Sequence, residues 1–284
     1  MEILEKAPAK LNLSLDTPFV HQDGEPEWNM VMTAIDLSDH VYIKTIPNSS
    51  TITVKTDSGF LPCDERNLAY QAAKLMQSFI TPKQGVEIEI LKKIPVSAGM
   101  GGGSADAAAV LRGLNKLWKL KFSNNHLAKL ALQIDSDVPF CVYNKPSLVT
   151  GRGEIIQPIG TLPQMWIIVA KPSASVSTPS VLKQIREQKI EHQNVDKVVL
   201  AIKNNDYDTL SQNIGNALEP ITQKRLHEIH RIKEKMIHFG ADAASMSGSG
   251  PTVFGITQKY SRALHIYNSL RGFCKEVYLV RALS

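Results

Sequence analysis

The sequence predicts an α+β fold of two domains, from its length, its mixture of strand-like and helix-like segments, and a change of composition past the midpoint. At 284 residues and roughly 150 per domain the chain has the length of about two domains, enough to bury one large core or two modest ones. Hydrophobic residues at 43% and charged residues at 21% are ordinary for a globular protein, which excludes disordered, collagen-like and low-complexity chains. Between Lys171 and Val199 the text turns Pro/Ser-rich and then highly charged, from Arg186 to His192, as connecting or decorating segments do. The boundary is placed near 160, giving domains of 1–160 and 161–284.

The elements follow from periodicity. Thr51-Ile52-Thr53-Val54-Lys55 and Val86-Glu87-Ile88-Glu89-Ile90 alternate apolar with polar, so each reads as a strand of a mixed or antiparallel sheet with one face buried and one wet. Leu68, Ala72, Leu75, Met76 and Phe79 recur at helical spacing, and so do Ala107, Val110, Leu111, Leu114, Leu117 and Trp118. A third helix is predicted from Arg225 to Phe239, with Leu226, Ile229, Met236 and Ile237 as its apolar stripe and a solvated basic face. Unbroken apolar runs at Trp166 to Ala170, Thr252 to Ile256 and Val277 to Val280 read as buried strands. No repeat period is visible.

Several function classes lose their footing here. The longest apolar stretch, Met165 to Ala170, is far below the roughly 18 residues of a membrane-spanning helix. Met1 is followed by Glu2 and Glu5 without a basic or apolar leader, so a cytoplasmic protein is expected. Cys63, Cys141 and Cys274 are an odd count without C-x-x-C spacing, and are expected to be reduced and partly buried. The net charge of +5 suits nucleic acid and a polyanionic small molecule equally. The basic run from Lys224 to Arg231 is interrupted by Glu228, and no RNA-recognition signature is present, so nucleic acid is set aside. His227 and His230 lack the spacing of a metal helix, and Trp28, Trp118 and Trp166 read as core.

The most informative text is Ile94-Pro95-Val96-Ser97-Ala98-Gly99-Met100-Gly101-Gly102-Gly103-Ser104, which follows a strand and runs into a helix. Glycines let a backbone approach an anion closely, and the helix start adds unsatisfied N–H donors and a partial positive charge. Pro95 closes the strand, and the Ser104 hydroxyl can serve a phosphate oxygen or a metal ion. The loop lacks the lysine of a Walker A sequence, and Ser104 stands where a dinucleotide fingerprint needs glycine. Phosphate binding is favoured over a mere tight turn before a close-packed helix. A second small-residue loop, Met246-Ser247-Gly248-Ser249-Gly250-Pro251-Thr252, is alone an ordinary turn that could approach a ligand or the first loop.

Together with Ala7-Pro8-Ala9-Lys10-Leu11-Asn12-Leu13, these two loops resemble the three motifs of the GHMP small-molecule kinases, in the family's order. The likeness extends to Asn67-Leu68, Lys92 through Ala108, Asp137-Val138-Pro139-Phe140, Thr150-Gly151-Arg152-Gly153-Glu154 and Asn216-Ala217-Leu218-Glu219. It implies an N-terminal domain like the second domain of ribosomal protein S5, a ferredoxin-like C-terminal domain, and an active site in the cleft. It further implies that Lys10 and Asp137 are the catalytic pair, with Asp137 as base. ATP would use Asn67, Lys92, Pro95, Gly99, Met100, Gly101, Gly102, Gly103 and Ser104, with Mg²⁺ near Ser104. The acceptor side would comprise Asn12, Glu25, Pro26, Thr178, Gly248 and Ser249. The implied partner is a small-molecule alcohol, a cytidine diphosphate conjugate, with neither nucleic acid nor membrane, acted on by a monomer or homodimer.

Two departures bear on specificity. The family follows its Asp-Gly with Tyr-His, which reads the cytosine, whereas Asp23-Gly24 is followed here by Glu25-Pro26, an acid and a ring without an N–H donor. A kinase for another small alcohol and an ATP-binding regulator therefore stay open as alternatives. Asp135 stands where the family usually has glycine, and it either crowds the base, raises its pKa or faces solvent.

Overall fold

The structure is a computed structural model that describes residues 1–185 and 190–283. Residues 186–189, the front of the charged stretch that begins at Arg186, lie outside the described residues. The chain forms two units, each built from separate segments: Met1–Ala9, Leu37–Ile94 and Gly101–Asn144 in the first, and Lys10–Asp36, Pro95–Met100 and Lys145–Ser284 in the second. Strands β1 (Glu2–Asp16) and β2 (Trp28–Ile46) are long enough to contribute one end to each unit.

The first unit adds β3 (Ile52–Thr56), α1 (Leu68–Gln77), β4 (Gly85–Leu91), α2 (Gly102–Leu117), α3 (Asn124–Ala131) and α4 (Val138–Tyr143). Strand β4 pairs antiparallel with β2, setting Ile88 opposite Ile43, and β3 lies parallel to β4. Val86, Ile88 and Ile90 are buried while Glu87 and Glu89 are exposed, as period-two alternation requires. Helix α1 packs on α2 and buries Ala69, Ala72, Ala73 and Met76. Leu68 and Leu75 of the expected stripe are half-buried, Leu68 lying beside Gly103 of α2. Phe79 lies beyond the helix, exposed and edge-on to Phe122. Helix α2 is seated equally closely on the sheet, because a Cβ at Gly113 would run into Ile43, Ile3 and Glu5. The buried Glu5 carboxylate pairs with Arg112 and Lys116 of the same helix.

The second unit adds β5 (Ser147–Gly151), β6 (Ile155–Pro158), β7 (Trp166–Lys171), α5 (Thr178–Ile185), α6 (Val195–Lys203), α7 (Tyr207–Asn213), β8 (Gly215–Asn216), α8 (Glu219–Gln223), α9 (His227–His238), β9 (Ala243–Met246), β10 (Val253–Thr257), α10 (Tyr260–Leu270) and β11 (Glu276–Val280). The three apolar runs become β7, β10 and β11 of an antiparallel sheet ordered β11-β7-β10-β9. With α9 and α10 packed against it, this is the ferredoxin-like arrangement, in which the strands stand fourth, first, third, second. Strand β5 pairs antiparallel with β2 and with β6, and β8 lies parallel to β1, Leu15 facing Asn216.

Within β1, Lys10, Asn12, Ser14 and Asp16 alternate with Leu11, Leu13 and Leu15, and both sets are buried. Helix α9 buries Ile229, Ile232 and Met236. Leu226 precedes the helix and Ile237 is exposed, because the helical phase set by Ile229 selects Ile232 in their place. Trp28, Trp118 and Trp166 are half-buried rather than core; Trp166 lies between the Tyr260 ring and the Arg281 guanidinium. Cys141 and Cys274 are buried, and Cys63 is exposed.

Candidate active site

The glycine loop opens α2 with bare backbone. Gly101 takes the N-cap position in a left-handed conformation, φ +65°, and no side chain caps the helix among the described residues. The first-turn amides of a 16-residue helix are therefore available to an anion, and the exposed Gly103 lets it approach. Gly99 has a different reason to be glycine. Its φ is +74°, and a Cβ there would lie 2.6 Å from the Ser247 carbonyl oxygen and 2.9 Å from that of Gly250. The second small-residue loop thus packs on the first, the second of the two approaches its sequence allows.

This contact gathers several expected residues in the second unit. The Ser247 hydroxyl donates to the Gly99 carbonyl oxygen at 3.1 Å and accepts from the Asn12 amide at 3.3 Å. The Lys10 amide donates to the Met100 carbonyl oxygen at 3.0 Å, and its ammonium donates to Asn12 Oδ1 at 2.8 Å. A Cβ on Gly248 would stand 3.4 Å from Lys10 Nζ. Ser249 Oγ and Thr178 Oγ1 share a hydrogen bond of 2.7 Å. Lys10, Asn12, Gly99, Met100, Thr178, Gly248 and Ser249 are therefore neighbours, and Lys10 is only 5% exposed.

In the first unit, Asp137 stands half-buried at the N-cap of α4, and its amide donates to Asp135 Oδ1 at 3.0 Å. The same oxygen accepts the Ser104 hydroxyl at 2.9 Å. Asp135 therefore binds the start of α2 to the start of α4 and is not turned to bulk solvent. Asn67 caps α1, its Oδ1 accepting from the Ala69 amide while its Nδ2 donates to the Pro62 carbonyl oxygen. Lys92 is buried beneath Gly102, between Asp39 and Asp106. Burial works against the Lys92 charge, but the two carboxylates outweigh it and hold its pKa above the ordinary lysine value. Burial pushes the Asp106 carboxyl above the ordinary aspartate value, against the opposing pull of Lys92. Asp39 and Asp106 were not anticipated, since isolated acids in sequence carry no sign that one lysine will bring them together.

The departing segment is a small turn of the second unit. Pro26 is buried and bridges to Val20, whereas Glu25 is exposed with its amide donating to Asp23 Oδ1. His21 Nε2 lies 3.0 Å from Glu27 Oε2, and Glu27 Oε1 accepts from the Gly151 amide, so His21 braces the turn.

A helix that opens on a glycine loop with no side-chain cap among the described residues has the geometry that binds phosphate. The chain belongs to the GHMP kinases. The family model described as "GHMP kinases N terminal domain" matches residues 67–145, and the one described as "GHMP kinases C terminal" matches residues 198–276. A relative from Ligilactobacillus salivarius, named 4-diphosphocytidyl-2-C-methyl-D-erythritol kinase, is 74% identical over 100% of this chain and 98% of its own. One from Levilactobacillus brevis with the same name is 57% identical over 100% of both. A crystal structure titled 4-(cytidine 5'-diphospho)-2C-methyl-D-erythritol kinase superposes with a TM-score of 0.82 at 29% identity, covering 100% of both chains. A homoserine kinase from Cytophaga hutchinsonii shares the fold, with a TM-score of 0.83 at 22% identity over 99% of this chain and 95% of its own. The two-domain α+β GHMP kinase fold is thereby met.

Proposed function

We propose that this protein transfers the γ-phosphoryl group of ATP to a hydroxyl of 4-diphosphocytidyl-2-C-methyl-D-erythritol, a step of the methylerythritol phosphate route to isoprenoid precursors. The observation that carries the reading is identity of 74% over the full chain to a relative named for that reaction. An alcohol is too weak an acid to attack unaided, so Asp137 takes its proton as the oxygen attacks. Lys10, its partner in the catalytic pair, steadies the developing alkoxide. The amides of Gly101 to Ser104 receive the phosphates, and Asn67, Lys92, Pro95, Gly99 and Met100 shape the nucleotide side. Asn12, Glu25, Pro26, Thr178, Gly248 and Ser249 form the acceptor side.

Mg²⁺ fits the donor chemistry at Ser104, whose hydroxyl gives its proton to Asp135 and keeps lone pairs for a hard cation. When bound, it neutralises phosphate charge. The functional division falls near 160, between the stretches matched by the two family models. No helix among the described residues is long and apolar enough to cross a membrane. The reading adds a cytoplasmic monomer or homodimer without a nucleic-acid or membrane partner. The alternatives raised by Glu25-Pro26, another alcohol or a regulator, are not favoured by full-length relatives that name one acceptor.

The test is ADP release from ATP and Mg²⁺ with that acceptor, beside mevalonate, homoserine and galactose. Turnover specific to the named acceptor, reduced about 10²- to 10⁴-fold in a folded Asp137→Asn protein, is expected. Full activity in that variant would remove Asp137 from the chemistry, and turnover with a panel member alone would replace the acceptor.

A further inference from the structure

Asn216 and Glu219 hold the 246–252 loop by its backbone. Asn216 is buried, and its Nδ2 donates to the carbonyl oxygens of Met246 and Gly248 at 2.7 and 2.8 Å, while its Oδ1 accepts from the Leu218 amide at 2.8 Å. Its amide has one workable orientation, because the reverse would set Oδ1 against two carbonyl oxygens. Three residues on, the buried Glu219 accepts from the Met246 amide at 2.8 Å and from the Ser245 hydroxyl with Oε2, and from Gln223 and Lys233 with Oε1. Met246 is thus gripped at both its N–H and its C=O. Thr222, on the next turn, donates its hydroxyl to the Ser249 carbonyl oxygen at 3.2 Å.

The loop so held meets Gly99 and Asn12 through Ser247, lies against Lys10 through Gly248, and meets Thr178 through Ser249. Asn216 also pairs with Leu15 of β1, the strand that carries Lys10 and Asn12. The geometry points to Asn216 and Glu219 as positioning residues that set the 246–252 loop against Lys10 and Asn12, and so fix where the acceptor hydroxyl sits. This rests on the phosphoryl-transfer reading above. Neither residue touches the reacting atoms in this account; each acts through the loop, and displacement of about 1 Å at such a site costs up to roughly 10²-fold in rate.

Asn216→Asp keeps the shape but turns an oxygen toward two carbonyl oxygens. In the full chain, kcat/KM for the acceptor is expected to fall about 10- to 100-fold, with a raised acceptor KM. Affinity for a non-hydrolysable ATP analogue, titrated without acceptor, is expected to stay within about threefold, because the helix-start amides lie outside the gripped loop. Glu219→Gln, which keeps an acceptor for the Met246 amide, is expected to fall between this variant and wild type. A merely structural role lowers the folded fraction without moving either constant per nucleotide-binding site. If aspartate costs the fold, Asn216→Ala, which removes the donors without the repulsion, is read by the same split. A folded variant with wild-type kcat and acceptor KM overturns the assignment. Wild-type protein that binds the analogue but turns over no acceptor overturns instead the reading on which it rests.

Discussion

Gly99 shows how one residue can fit a motif for a reason the motif does not state. Its place in the loop was legible from the glycine run, but the physical need for glycine comes from Ser247 and Gly250, which are distant in sequence and so invisible to local reading. Gly99→Ala must both hold a β-carbon at φ +74° and displace backbone oxygen, so it is expected to cost at least about 2 kcal/mol in urea unfolding. Lys92 makes a second case. It was read for the nucleotide, and it is bound to two buried carboxylates that no spacing rule connects to it. Lys92→Met would leave Asp39 and Asp106 facing each other without their cation. A loss of about 3–5 kcal/mol is expected by the same method, and a variant within 0.5 kcal/mol of wild type, roughly the noise of a surface change, would contradict it.

At the level of elements, alternation located β3 and β4, helical spacing located α1, α2 and α9, each of which has a buried face, and unbroken apolar runs located β7, β10 and β11, of which β7 and β10 are buried on both faces. Strands β1 and β2 were harder. They run 15 and 19 residues, each shared between two units, and β1 buries polar and apolar faces alike, so no solvated face marks it as a strand. Packing distances were equally unreadable. Gly113, unremarkable in sequence, seats α2 on Ile43 and Ile3. Gly113→Ala is expected to destabilise by about 1–3 kcal/mol through overpacking, despite alanine's better helix propensity. Adding Ile43→Val, which removes the δ-methyl that the new β-carbon would strike, is expected to recover part of the loss. Strict additivity of the two changes in a double-mutant cycle would argue against that contact.

For the whole molecule, the class of fold could be read because its motifs are small-residue loops clustered in sequence, and folding gathers Lys10, Asn12, Gly99, Met100, Thr178, Gly248 and Ser249 in the second unit. The supports that hold them, Asp39, Asp106, Asn216, Glu219 and Ser247, are dispersed, and only folding brings them to their places. A nucleotide that binds only the folded chain must stabilise it. An ATP analogue at 100 times its Kd is expected to add about 2.7 kcal/mol to unfolding, read as a rise in melting temperature, and no shift at saturation would contradict folded-state binding. The alternation of Lys10, Asn12, Ser14 and Asp16 with three leucines also constrains what length changes the gene can tolerate. Loss of a single codon just before Lys10 would keep every later residue while moving each to the opposite face of β1, bringing leucine to the Gly248 loop and lysine into the hydrocarbon interior. Loss of two codons would restore the faces and shift them along the strand, so a small deletion there is expected to be worse when odd than when even.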